Sequence, residues 1–337
     1  YPPSGFYVAE TVELRDLWNT DHLKKVRWHD KREPKRFARL LQPHLLQLNI
    51  PADESCLVRD KDSGVLVCGV IRGFCPVSSV LPEAVETTEI NLALRKSVRV
   101  RDPGCINLAG YTAGSRSGLA FDLTKNLRSK KHSPEATAEL HAGMSSLFAL
   151  FWNMSKARLP REVISDIEGF LFDTNINRMD GGLQTADGQT GEYKVSVADK
   201  TFAFTAELAP PSGVFAGNYS RAIHYENQPH KYSMGWCLSK EHAPARGGNF
   251  YLANYGIRVE QAANTVIVWR PNEWHGTSLH EAEFCERPEE WVSVGLCIVT
   301  SSRIRSAWEK FQRHTISREE LIRRMEKGDE IYGDEQR

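Results

Sequence analysis

Two histidines and a glutamate in the C-terminal half have the types and the spacing to hold one divalent metal. His224-Tyr225-Glu226 closes the strand-like run GVFAGNYSRAIHYE, and alternation along a strand sends positions 224 and 226 to the same face. His275 follows the apolar run TVIVWRP and a PNEW turn, which delivers a third ligand from another strand. Two imidazoles and one carboxylate on one face, with the remaining positions open, form the ligand set of non-haem Fe(II) oxygenases. A His-x-Glu pair alone arises often by chance. Its setting strengthens it here, because Arg246 to Leu252, Tyr255-Gly256 and TVIVWRPNEWHG read as strand, tight turn, strand and ligand-bearing loop. His230, His242 and His280 compete as ligands, but none has a carboxylate two positions further on.

These residues need a scaffold, and from Tyr193 onward the texture supplies one. Short alternating runs (YKVSVA, TFAFTAEL, SMGWCL, GGNFYLANYGIRVE, WVSVGLCIVTS) are separated by Gly, Pro and Asn, as in an antiparallel sandwich or barrel. Upstream, Ser133-Pro134-Glu135 is a helix start, with a capping serine, proline at the first position and an acid in the first turn; the helix should run to about Ala157. A second helix is expected from Pro160, with Val163, Ile164, Ile167 and Phe170 as its apolar face. Residues Thr11 to Leu48 show helical spacing broken at Pro34 and Pro43, Leu57 to Val77 reads as strand turning at Asp62-Ser63-Gly64, and Ser306 to about Arg324 as a charged amphipathic helix. The expected fold class is α+β. A basic helical and β extension occupies residues 1–90, and a β-rich catalytic domain with supporting helices occupies 91–337.

Composition narrows the partners. The chain has 337 residues, 41% of them hydrophobic, enough for a proper core. Its 43 basic and 43 acidic residues cancel, yet the positive charge is blocked. Between Asp21 and Leu40 lie Lys24, Lys25, Arg27, Lys31, Arg32, Lys35, Arg36 and Arg39, with Trp28 and Phe37 interleaved; Arg95 to Arg101 and Lys125 to His132 are smaller blocks. Any one of them is more commonly a solvated face, but three in a neutral protein point to a polyanion such as nucleic acid. The 7 cysteines are scattered, contain no C-x-x-C pair, and read as free thiols in a reducing compartment. No apolar stretch reaches the roughly 18 residues of a membrane span. A chain starting at Tyr1 is expected to lack its true N-terminus and any targeting signal encoded there.

The runs NYSRAIHYENQPHKYSMGWCL, GGNFYLANYG and VIVWRPNEWHGTSL, spanning roughly residues 200 to 305, resemble the TET/JBP family. Its members are the ten-eleven translocation 5-methylcytosine dioxygenases, the base J-binding thymidine hydroxylases and their fungal relatives, among which this chain is expected to fall. The resemblance implies a double-stranded β-helix (jelly-roll) core, Fe(II) and 2-oxoglutarate as cofactors, and oxidation of the methyl group of a base flipped out of duplex DNA. It implies a nuclear, monomeric enzyme acting on 5-methylcytosine or N6-methyladenine.

Two positions depart from the family pattern. The carboxylate ligand is Glu226 where Asp is usual. The arginine that holds the distal carboxylate of 2-oxoglutarate is expected two positions before Ser293, and that position is Trp291. Arg287, the arginine in the window between His275 and Ser293, is therefore assigned the salt bridge, with Arg221 and Arg303 in reserve. Asn218, Tyr219, Asn227, His230 and Tyr232 lie beside the ligands and are candidates to stack on or hydrogen-bond the base; ordinary loop polarity is the rival reading for each. Two other functions fit the same residues: a 2-oxoglutarate oxygenase acting on a protein or small molecule, and an inactive barrel that binds nucleic acid.

Overall fold

A computed structural model describes residues 1–23, 35–114, 119–129, 132–197 and 200–313. In chain order the elements are β1 (Tyr7–Ala9), α1 (Val12–Asp16) continuing into a π-helical turn (Leu17–His22), β2 (Ala38–Leu40), β3 (Leu48–Ile50), β4 (Cys56–Arg59), β5 (Leu66–Ile71), α2 (Leu81–Leu94), β6 (Cys105–Gly114) and β7 (Leu119–Leu123). Then follow α3 (Pro134–Arg158), α4 (Arg161–Thr174), β8 (Thr190–Val197), β9 (Lys200–Glu207), β10 (Ser212–Gly217), β11 (Arg221–His224), β12 (Ser233–Lys240), β13 (Phe250–Leu252), β14 (Ile257–Val259), β15 (Thr265–Trp269), β16 (His275–Thr277), β17 (Ser293–Ile298) and α5 (Ile304–Gln312).

This is a mixed α+β fold built on two sheets. The larger has the order β4-β5-β15-β12-β17-β10-β6-β7 and the smaller β11-β16-β13-β14-β3. From β10 onward the chain passes between them, so that β10, β12, β15 and β17 lie in the large sheet and β11, β13, β14 and β16 in the small one. The sheets meet through one apolar cluster, where Val67, Val70, Ile267 and Trp269 pack with Ile50, Phe250, Leu252, Ile257 and Val259. The opposite face of the large sheet is covered by helices. Met234, Trp236, Val294, Leu296 and Ile298 point outward and pack with Met144, Phe148, Phe151 and Trp152 of α3 and Val163, Ile164 and Ile167 of α4. Alternate residues Gly235, Cys237, Gly295 and Cys297 therefore face the space between the sheets.

The helix signals hold. Ser133 caps α3 by accepting from the Ala136 amide at 3.2 Å, and Pro134 opens the helix. Pro160 precedes α4, which buries Val163, Ile164, Ile167 and Phe170. The last helix begins at Ile304, and the part of the expected stretch from residue 314 to about Arg324 lies outside the described residues.

Among the described residues, the helical spacing read over Thr11 to Leu48 is realised over Val12–Asp16 and Leu17–His22. Ala38–Leu40 and Leu48–Ile50 are strands, paired in parallel with β1 and with β14. Three-residue strands cannot impose a period on a sequence; backbone pairing decides them, in a two-stranded ribbon with β1 for Ala38–Leu40 and at the edge of the smaller sheet for Leu48–Ile50. Residues 24–34, which carry Lys24, Lys25, Arg27, Trp28, Lys31 and Arg32, lie outside the described residues. The seven thiols are free; Cys285 is exposed and Cys56 and Cys297 half-buried. No helix among the described residues is long and apolar enough to cross a membrane.

Candidate metal centre

His224 is the last residue of β11 and His275 the first of β16, and the two are register partners across that antiparallel pair. Their rings lie 4.4 Å apart. Glu226 leaves the strand end with its backbone amide donating to Pro271 O at 2.7 Å, which turns the carboxylate back so that Oε1 stands 3.4 Å from His224 Nε2. One ligand atom from each of the three residues falls within 4.8 Å of the other two.

The tautomers suit a metal. Nδ1 of His224 donates to Ala222 O at 2.9 Å and Nδ1 of His275 donates to Glu273 O at 2.8 Å, so each Nε2 keeps its lone pair for an ion. Burial pushes the His224 imidazole down to about 3, assisted by neighbouring His275, and burial lowers His275 likewise, so both rings are neutral at pH 7. Glu226 is the converse case. Burial opposes its charge, but His224 and Arg99 hold the carboxyl well below the ordinary range. Two further side chains face that carboxylate, Gln228 Nε2 at 3.5 Å and Arg99 at 3.7 Å. Neutral imidazoles, an ionised carboxylate and converging lone pairs fit a divalent ion such as Fe(II).

The trio opens into a cavity of about 270 Å³ between the sheets. Phe250 and Trp269 stand against the His275 ring at 6.0 and 5.8 Å. Ile106, Leu108, Val214 and Ile304 make another wall apolar.

Beside it lies a buried charge cluster that sequence reading missed. Asp102 accepts from Arg221 at 2.6 Å, from the Tyr7 hydroxyl at 2.6 Å and from the Tyr219 hydroxyl at 2.8 Å. Burial raises its pKa, and Arg221, Arg99 and the two hydroxyls outweigh that, so Asp102 stays ionised. Arg36 feels the same cluster. These contacts join positions 7, 102, 219 and 221, and no local pattern announces them.

The candidates for cofactor and substrate binding separate accordingly. Arg221 and Ser293 line the cavity; Arg303 does not, standing half-buried before α5. Arg287 stands outside the cavity with an exposed side chain, because its loop is anchored elsewhere: the Glu286 carboxylate accepts from Arg128 at 2.8 Å and from the Ser97 amide at 3.3 Å. Trp291 is turned away from the cavity, its ring lying over Gly217 beside Leu92 of α2. Of the base-contact candidates, Asn218, Tyr219 and Asn227 line the cavity. Two are already committed: the Asn218 amide donates to Glu290 O at 3.0 Å and accepts from Ser293 N at 3.0 Å, and the Tyr219 hydroxyl belongs to Asp102. His230 and Tyr232 lie outside the lining; His230 Nδ1 donates to Tyr232 O at 2.7 Å and the ring packs edge-on against Phe170. The basic block Arg95 to Arg101 splits in the same way. Arg95 is fully buried, donating to Asn91 and Thr124 O, while Arg99 enters the cavity.

Burial pushes His230 down to about 4 and His280 to about 3. The unfolded chain takes up these protons near pH 6.5 and the folded one does not, so stability present at pH 7 is lost as the pH falls from about 6.5 toward 4. Each ring accounts for about 2 kcal/mol at pH 5. Urea midpoints at pH 7 and pH 5 test this: His230→Gln is expected to narrow the difference, and an unchanged difference sinks the assignment.

No family model and no curated protein matches the chain in sequence. Among solved structures it is similar to NgTET1 in complex with 5mC DNA, with 12% identity over 79% of this chain and 86% of that one at a TM-score of 0.46. It is also similar to AviO1 from Streptomyces viridochromogenes Tue57, with 11% identity over 41% of this chain and 84% of that one at a TM-score of 0.20.

Proposed function

We propose that this chain is an Fe(II)- and 2-oxoglutarate-dependent dioxygenase that oxidises the methyl group of a modified DNA base, 5-methylcytosine or N6-methyladenine. The observation that carries the oxygenase reading is the convergence of two neutral Nε2 lone pairs and one ionised carboxylate on the wall of a largely apolar cavity. The passage of β10 to β17 between two facing sheets supports a double-stranded β-helix as the frame.

When bound, iron and 2-oxoglutarate supply the activation of dioxygen that a methyl C–H bond requires. The chain itself has to bind, orient and keep water out. His224 and His275 hold their lone pairs inward because their Nδ1 protons are tied to backbone carbonyls. Gln228 and Arg99 restrain the Glu226 carboxylate. Phe250 and Trp269 shield the His275 side from solvent. Asn227, at the cavity wall and half-buried, is placed to meet a base edge.

DNA as substrate rests on the family resemblance of the motifs and on positive charge beside the site, where Arg36, Arg99 and Arg221 gather around Asp102. Mass spectrometry of duplex oligonucleotides carrying either methylated base, incubated with Fe(II), ascorbate and 2-oxoglutarate, tests the whole reading. The expected product carries one added oxygen on the methyl carbon. Succinate formed without base oxidation removes the DNA substrate, and absence of 2-oxoglutarate binding removes the oxygenase.

A further inference from the structure

One group of polar side chains between the sheets is not used by the metal centre. β12 runs from Ser233, whose hydroxyl donates to Gln228 beside the ligands, to Lys240 at its other end. Lys240 is the register partner of Ser293, and the irregularity between Cys237 and Ser239 restores the inward phase, so Lys240 follows Cys237 on the face that looks into the sandwich. Lys240 is not itself on the cavity lining; its amine is buried behind residues that are, and has no hydrogen-bond partner among the described residues. Its charge acts on the Cys237 thiol and on the His280 ring, both of which line the cavity. Gln261, also on the cavity wall, has a buried amide oxygen without a partner. The neighbouring carboxylate of Glu10 is already engaged by Tyr251, Asn249, Ser278 and Arg258.

A buried ammonium without a partner is among the least favourable groups a protein interior can hold, and burial does lower the pKa of this one. Its presence calls for an anion that arrives with a ligand. The position where an arginine would be sought is Trp291, which packs outward on Gly217 and Leu92, and Arg287 is exposed.

We infer that Lys240, with the Ser293 hydroxyl opposite it, is the anchor for the distal carboxylate of the 2-oxo acid co-substrate, in place of a strand-borne arginine. The inference rests on the oxygenase reading above. An ammonium is a compact point charge, whereas a guanidinium offers a bidentate fork, so the anchor selects for a carboxylate at the tail of the acid through one charge-assisted bond rather than two.

The test compares two acids with the same chelating head. 2-Oxoglutarate ends in a carboxylate, and 2-oxovalerate ends in a methyl group. Each is titrated anaerobically into the Fe(II) protein, following the visible charge-transfer band, and into the Mn(II) protein by calorimetry. The wild type is expected to prefer 2-oxoglutarate strongly. Lys240→Met is expected to weaken 2-oxoglutarate binding roughly 10- to 100-fold, the range set by one lost charge-assisted hydrogen bond, with 2-oxovalerate and metal affinity unchanged. Lys240→Arg is expected to restore much of the preference.

Thermal unfolding separates this from a structural role. Without ligand, Lys240→Met should melt at or above the wild-type temperature, because an unpartnered charge leaves the interior, and it should lose the rise that 2-oxoglutarate gives the wild type. If the methionine variant does not fold, Lys240→Gln is read by the same ratio of affinities. Retention of the wild-type preference in a folded variant overturns the anchor while leaving the oxygenase reading standing. A wild type that binds neither acid overturns both.

Discussion

Replacing His275 with alanine is expected to remove measurable binding of Fe(II) or Mn(II), and with it all turnover, while the far-ultraviolet circular dichroism of the chain stays unchanged. The loss should exceed the 10- to 100-fold in affinity that follows removal of a residue supporting a metal ligand, because here one of the ligands itself goes. The fold should survive, since the imidazole's hydrogen bond is to the adjacent backbone at Glu273 and the strand pairing of β16 with β11 and β13 is made by backbone. Glu226→Gln offers a graded companion. It keeps shape and removes charge, so metal affinity should fall while Arg99 loses its ion pair and the amide oxygen remains able to accept a hydrogen bond. Calorimetric titration of Mn(II) reads both. Wild-type affinity in His275→Ala would show that the ion, if one binds, sits elsewhere.

The second large effect is on stability. Asp102→Ala is expected to destabilise the protein by about 3–5 kcal/mol, the usual consequence of stranding one member of a buried ion pair. Both side chains of the Asp102–Arg221 pair are only 7% exposed, and two tyrosine hydroxyls lose their acceptor in the same step. The melting temperature should fall by roughly 10 °C. Adding Arg221→Met to Asp102→Ala should recover part of that loss, because the buried guanidinium goes with its partner. A double variant no more stable than the single one would mean that the cluster is held by its hydroxyls rather than by its charge.

What the sequence revealed and what it hid divide along one physical line. Local signals were legible. Ser133 caps its helix where the Ser-Pro-Glu pattern placed it, and the alternating runs from Tyr193 onward became strands. His224, Glu226 and His275 come together because a strand end and a strand start carry them to the same register.

Long-range pairings were not legible. The place of Arg287 between the second histidine and the next strand points to a salt-bridge role, but which way its loop faces depends on Arg128 and Ser97, far upstream. In sequence Arg99 is one cation of a basic block, and in the fold it is a cavity residue; Asp102, three positions on, belongs to no motif and organises four side chains. Lys240 carries no motif at all. Only the pairing of β12 with β17 sets it opposite Ser293. Asn218 looked like a free polar group beside the ligands, and its amide turns out to pin the start of β17.

The segment that leads into the first strand has a practical implication for anyone expressing this protein. Gly5 and Phe6 exchange backbone hydrogen bonds with Ile223, the residue before His224, and Tyr7 reaches Asp102. A cloning boundary drawn at residue 11, to trim what looks like a dispensable leader, would leave every metal ligand in the reading frame. It would also detach the strut that fixes β11 and the brace on Arg221, so a silent assay from such a truncated gene product would report on the trimming rather than on the chemistry.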